Sequence, residues 1–173
     1  MAMNRLLFWV MRRAGAKAPA RIDESTGARI ATYTPVAKVF AWVILVGVVA
    51  LATLVLTGIE RSQLTTMGIL FGAFVAAGVA MVLEFHRVRA EWTDVELTFT
   101  SPWGGTRRLR WTDLKDVQYS HSAGWFVVRG QDGTKVRLGQ FLGGTTDLFN
   151  EMKERAPGIA LQVDRAVAMW KGR

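Results

Sequence analysis

The chain has 173 residues, half of them hydrophobic, with a formal net charge of +8 and no cysteine. The missing cysteines exclude a disulfide framework and a thiolate metal site. Up to Lys38 there are seven basic and two acidic residues, whereas from Glu84 onward there are 14 basic and 11 acidic, so the positive excess is concentrated in the N-terminal arm.

Residues 1–38 form that basic arm. The short apolar run from Leu6 to Met11 follows Arg5 and is stopped by Arg12 and Arg13. It is too short for the apolar centre of a signal peptide, so the segment reads as retained. Wound as a helix, it places Met3, Leu6, Leu7 and Val10 on one face, with Asn4, Arg5 and Arg12 largely opposite. This pattern suits either an interfacial helix among anionic headgroups or a frayed end. Residues 14–19 read as linker. A short strand at 29–33, paired with 21–23 across Ser25-Thr26-Gly27, fits the following stretch, and Pro35 suits a helix entry.

Residues 39–83 are expected to be a transmembrane hairpin, with spans at 39–59 and 64–83. Each run is about 20 residues and uncharged, enough for a helix to cross ~30 Å of hydrocarbon, and the only charges between them are Glu60 and Arg61. Soluble helices of such length carry a polar face, and these have none. Lys and Arg gather on the cytoplasmic side of spans. The basic arm and Arg87 and Arg89 therefore place both termini in the cytoplasm and the 60–63 turn on the other side. Phe40, Trp42, Phe85 and Trp92 are expected at the boundary depth that aromatic rings prefer. Gly68, Gly72, Ala76 and Ala80 recur every fourth residue, a small-residue stripe expected to pack on the first span around Gly47 and Ala50, or to form a homodimer seam. With no ionisable group inside either span, a channel or transporter is disfavoured, and the hairpin reads as an anchor.

From residue 84 the periodicity changes to alternation. Val95, Leu97 and Phe99 are expected to point inward from one strand, and Leu109 and Trp111 from a second. Val117 and Tyr119 mark a third strand. Residues 125–129 form a fourth, buried on both sides or central, and 135–138 a fifth after the Asp132-Gly133 hairpin signal. A further strand fits 88–92. Short turns imply an antiparallel meander. A helix follows, with Thr145 or Thr146 as cap and Leu148, Phe149, Met152 and Ala156 on one face. Glu151 and Arg155 form an i,i+4 pair. Ile159, Leu161 and Val163 read as a short extended piece closing the 84–163 domain, and 164–173 as a tail with a last helical turn or two.

The run Glu96-Leu97-Thr98-Phe99, the glycine turn, the Trp-x-Asp-Leu-x-x-Val stretch at 111–117, and then Gly124-Trp125-Phe126-Val127-Val128, Asp132-Gly133 and Val136-Arg137-Leu138 resemble the bacterial pleckstrin-homology-like (PH-like) domain family. The resemblance covers roughly residues 90–156. It implies an α+β membrane protein of the bacterial inner membrane: a transmembrane hairpin followed by a cytoplasmic, PH-like antiparallel sheet or barrel with a C-terminal capping helix. It transfers no catalytic residues. The long basic arm departs from the family layout.

The chemistry-bearing residues are few. His86 and His121 have no partner at zinc-ligand spacing. Ser120-His121-Ser122 would need an orienting acid in space to act as a nucleophile, and Asp113 and Asp116 fit turn caps. Gly104-Gly105 and Gly143-Gly144 match no phosphate loop. No catalytic, metal or cofactor residue is expected, and no small-molecule substrate. Nucleic acid is not expected either, because acids are interspersed with bases across the domain. Trp103 with Arg107, Arg108 and Arg110 is the candidate surface for a lipid headgroup or partner. The sequence thus points to a membrane-anchored interaction module binding a protein partner or anionic headgroups. The alternatives are a structural subunit of a larger membrane complex and, ranked last, a membrane-associated enzyme.

Overall fold

The computed structural model describes residues 18–58, 60 and 62–171. The expected interfacial helix lies outside the described residues. These residues form an α+β structure in two compact units, Pro35–Arg87 and the sheet-bearing segments on either side of it.

The first unit is a pair of 24-residue helices, α1 (Pro35–Gly58) and α2 (Leu64–Arg87). Both are long and apolar enough to cross a membrane. Each runs about four residues further than expected at its outer end, because Pro35 is tolerated in a first turn and nothing breaks the helix before Val88. Thr53 and Thr57 donate to the carbonyls of Val49 and Leu54, so their hydroxyls are satisfied within α1. Small side chains make the seam: Ala37, Ala41 and Ala52 of α1 are buried, as are Gly78 and Val82 of α2. A Cβ on Gly78 would sit 3.0 Å from Leu45 Cδ1, so glycine permits this approach. Val43, Val46, Leu51, Ile69 and Phe74 are exposed.

Among the described residues the second unit contains eight strands. β1 (Arg21–Ile22), β2 (Arg29–Thr32), β3 (Arg89–Trp92), β4 (Glu96–Ser101) and β5 (Gly105–Arg110) form a five-stranded sheet in chain order, antiparallel throughout. β6 (Leu114–Ser120), β7 (Trp125–Gly130) and β8 (Lys135–Gly139) form a three-stranded antiparallel sheet. The expected single meander is therefore split where Trp111–Asp113 form a 3-10 turn. Trp111 is buried as expected, but from this turn rather than from a strand, with its indole N–H donating to the Thr93 carbonyl at 2.9 Å. Val95, expected inward, precedes β4 and is exposed.

The arm does not stand apart from the domain. The expected hairpin at 21–33 forms, with Ile22 opposite Arg29, and β2 then pairs along its length with β3. This pairing buries Ala31 and Ala90. Residues 18–34 thus belong to the sheet unit, and α1 and α2 are inserted between two hydrogen-bonded neighbours. The chain passes from β2 to α1 through Tyr33 and Thr34, and from α2 to β3 through Val88. Trp92, expected at a membrane boundary, is instead a core side chain of β3, because alternation along β3 turns Ala90 and Trp92 to the same inner face.

Two helices fill the sheet unit. α3 (Thr145–Arg155) begins at Gly144, whose φ of 83° and contact with Ala20 exclude a larger residue. The Thr145 hydroxyl, expected to cap, donates backward to the Leu142 carbonyl. A 3-10 turn at Pro157–Ile159 leads into α4 (Ala160–Lys171). This helix replaces the expected extended piece and tail: Ile159, Val163, Ala166 and Trp170 share its buried face at helical spacing. Phe126 of β7 lies at the centre of the core, its ring centroid 4.5 Å from Phe149, 4.9 Å from Tyr119 and 5.6 Å from Trp170. β7 holds the central position of its sheet, between β6 and β8, but is not buried on both sides. Phe126 and Val128 face in, while Trp125 and Val127 remain partly exposed.

Candidate functional site

Strand register puts the turn that carries Trp103 at one end of the five-stranded sheet, with Arg107 and Arg108 further along β5 and Arg110 at its far end, opposite Glu96. Thr32, Arg89, Thr100 and Thr106 form a row across β2 to β5. β2 ends and β3 begins at this row, so it is also where the chain leaves for α1 and returns from α2. The turn between β4 and β5, carrying Trp103, projects from the same edge. Strands are about 4.8 Å apart, so the turn lies on the order of 10 Å sideways from the attachment at Arg89. Trp103 is 63% exposed, its backbone N–H held by the Ser101 hydroxyl at 3.3 Å.

The three arginines do not act as one face. Alternation along β5 sends Arg108 and Arg110 to one side and Arg107 to the other, beside Leu109 and opposite Phe99. Arg107 reaches past the sheet edge and donates to the Lys135 carbonyl of β8, joining the two sheets. Arg108 lies 3.9 Å from Glu96, and Arg110 is opposite Glu96 in register. Arg107 and Arg108 line an open cleft of about 490 Å³ together with Thr106, Gly133, Thr134 and Lys135. Arg110 does not line it. Sequence reasoning missed the contribution of the β7–β8 turn, because nothing in a one-dimensional pattern shows that this turn meets β5. The Asp-Gly hairpin signal at 132–133 did show that a tight turn would be there.

That turn is internally fixed. Gly133 adopts φ 85°, a left-handed conformation that glycine favours. Asp132 accepts from the Thr134 N–H at 2.9 Å and the Thr134 hydroxyl at 2.7 Å. These bonds hold its carboxyl below the usual range, the hydroxyl contributing most. The negative charge at the cleft margin is therefore engaged within its own turn.

The remaining candidates lie elsewhere. Gly68, Gly72 and Ala76 are exposed and Ala80 is half-buried, and a Cβ on Gly68 or Gly72 would meet nothing within 4 Å. Gly47 and Ala50 are likewise exposed. Gly68, Gly72 and Ala76 thus do not pack on the first span as expected: Met67, Phe71, Val75, Gly78 and Val82 are among the positions of α2 withdrawn from solvent, on a different face from these three. His121 stacks edge-on against Tyr119 at 5.2 Å. Asp113 precedes β6 and His121 follows it, so a seven-residue strand separates them by roughly 20 Å. Among the described residues no group of three or more His, Asp or Glu is placed to hold a metal ion.

Comparison with protein-family models, curated proteins and solved structures finds no match to this chain.

Proposed function

We propose that this chain is a membrane-anchored, PH-like interaction module. In this reading α1 and α2 cross the bacterial cytoplasmic membrane, both termini are cytoplasmic, and the sheet unit holds a protein partner or an anionic headgroup at the cytoplasmic face. The observation that carries it is the length of the two connections. Two residues on one side and one on the other separate the helices from paired strands. At about 3.5 Å per residue, neither tether reaches beyond roughly 10 Å. A domain tethered so closely meets surface ligands at high effective concentration, so a weak site suffices. Exposed Trp103 at the attachment end suits the interfacial depth where indole rings settle, and the neighbouring cations suit an anionic surface.

A photoreactive probe at position 103, activated in cells, tests this reading. A crosslinked lipid or a discrete protein, absent when the probe is at exposed Leu161, supports it. A chain released from membranes by alkaline carbonate, or equal capture from both positions, overturns it.

The second reading is a structural subunit of a larger membrane complex. It is favoured by the Gly68–Gly72–Ala76 stripe, which the α1–α2 seam does not use. Close helix approach through such residues is a common basis for association in lipid. Stable co-purification of a partner, lost on Gly72→Leu, would favour it.

A further inference from the structure

We propose that the free edge of β5 is a strand-addition site for an extended acidic segment of a partner protein. This deepens the interaction-module reading by naming the partner's chemistry, and it rests on that reading for where the partner is met. The ladder fixes which backbone groups are available. The Trp111 N–H donates to the Val95 carbonyl at 3.2 Å, and antiparallel pairs alternate between hydrogen-bonded and non-bonded. Leu109 and Arg107 therefore exchange bonds with Leu97 and Phe99, whereas Thr106 and Arg108 stand in non-bonded pairs with Thr100 and Thr98. The hydroxyls of Thr100 and Thr106 approach to 3.3 Å, as side chains of a non-bonded pair should. Thr106 and Arg108 thus turn their N–H and C=O groups away from β4, to the side where the sheet has no further strand among the described residues.

The other edges are closed or short. α4 lies along β6. On β8, Arg107 occupies the Lys135 carbonyl, and a Cβ on Gly139 would clash with the Tyr33 hydroxyl. β1, at the opposite edge of the five-stranded sheet, has two residues. β5 has six, and all but Leu109 are exposed. An open edge also invites a second copy of the chain. Antiparallel self-pairing would bring the arginines of β5 against one another, and like charges directly opposite destabilise a ladder. β5 carries Arg107, Arg108 and Arg110 and no acid. On its outer face Glu96 stands alone against both Arg108 and Arg110. Carboxylates at alternate positions of an added strand would fall on that same face, where guanidinium groups take them in bidentate pairs. Charge thus excludes self-pairing and selects an acidic strand, while the outward backbone groups of Thr106 and Arg108 bind it.

The test uses the full chain in phosphatidylcholine nanodiscs and a capped heptapeptide that alternates glutamate with threonine. Amide hydrogen exchange is read residue by residue. Without peptide, the N–H groups of Thr106 and Arg108 should exchange at least tenfold faster than those of Arg107 and Leu109, which are bonded to β4. With peptide, Thr106 and Arg108 should slow by roughly the same factor. A glutamate opposite Arg108 shares its face and turns its own amide toward β5. N-methylation at the glutamates should therefore weaken binding about tenfold or more, with every charge kept. N-methylation at the threonines, whose amides face away, should change it less than about twofold. Thr106→Pro removes an outward donor and no internal bond, which an edge strand tolerates. It should weaken binding about tenfold while near-ultraviolet circular dichroism stays unchanged.

No binding, an equal loss from the two methylated peptides, or binding that Thr106→Pro leaves unchanged overturns the site. So does a single-stranded oligothymidylate that binds as tightly as the peptide, since charge alone would then be read. That failure is distinct from failure of the module. If Thr106→Pro captures a protein partner through the position-103 probe as well as wild type, the strand site is overturned and the module stands.

Discussion

The helical unit and the sheet unit use apolar residues in opposite ways. In α1 and α2 the buried positions are alanines, one glycine and one valine, while valines, leucines and phenylalanines point outward. In the sheet unit Trp92, Leu97, Phe126, Leu138, Met152 and Val163 are almost wholly enclosed. One unit is filled by its own large side chains. The other presents its large side chains to its surroundings and keeps its small ones for the internal seam. Water favours the first arrangement and penalises the second, so the contrast is what a change of solvent along one chain would produce.

The sharpest way to break the contrast is a core deletion. Phe126→Ala should destabilise the sheet unit by roughly 3–5 kcal/mol, measured by near-ultraviolet circular dichroism during denaturation in detergent. A comparable truncation at outward Phe74 should leave that transition unmoved. Next in size, Leu51→Arg places a charge near the middle of α1. Transfer scales put its insertion cost at about 3 kcal/mol, so the membrane-bound fraction should fall in a translocation assay. Unchanged fractionation would mean that the helix does not contact lipid.

A smaller effect tests whether the arm belongs to the sheet unit. Arg29 of β2 pairs with Glu151 of α3 at 2.5 Å, and Glu151 also accepts from Arg155 at 3.0 Å. Arg155 in turn meets Asp94. Because Arg29 is half exposed, Arg29→Ala should cost only about 1 kcal/mol, but the cost should disappear in a Glu151→Ala background. Additivity would mean that the pair contributes nothing. The smallest effect is acid sensitivity at the turns. Asp132 and Asp23 are held below their ordinary value chiefly by the hydroxyls of Thr134 and Ser25. A depressed carboxylate stabilises the fold above its unfolded pKa and loses that contribution as pH falls through the lower folded value. Asp132→Asn should therefore lower the melting temperature slightly at pH 6 and not at all near pH 2.

Much of this fold is legible from periodicity. The alternation of Leu97 with Phe99, and of Val136 with Leu138, marks strands because a half-buried sheet requires period two. Leu148, Phe149 and Met152 mark α3 by helical spacing. Ile159-Leu161-Val163 fits both periods over five residues. The helical solution holds because Ala166 and Trp170 continue it, leaving Leu161 exposed. At the candidate site, local pattern identifies Trp103, Arg107 and Arg108. It cannot show that Lys135, about thirty residues later, lines the same cleft, because sheet-to-sheet contacts leave no periodic trace. Arg110 shares a face with Arg108 but stands at the far end of β5, opposite Glu96, so it does not line the cleft.

The pairing of Thr32 with Arg89 also constrains biogenesis. β2 leaves the ribosome before the two helices and β3 after them, yet the strands must meet edge to edge. On the proposed membrane-anchored reading, a chain whose second helix failed to insert would leave them on opposite sides of the bilayer, with Ala31 and Ala90 unburied. On that same reading, an assembly error in the membrane would appear as an unpaired β2–β3 edge in the sheet unit.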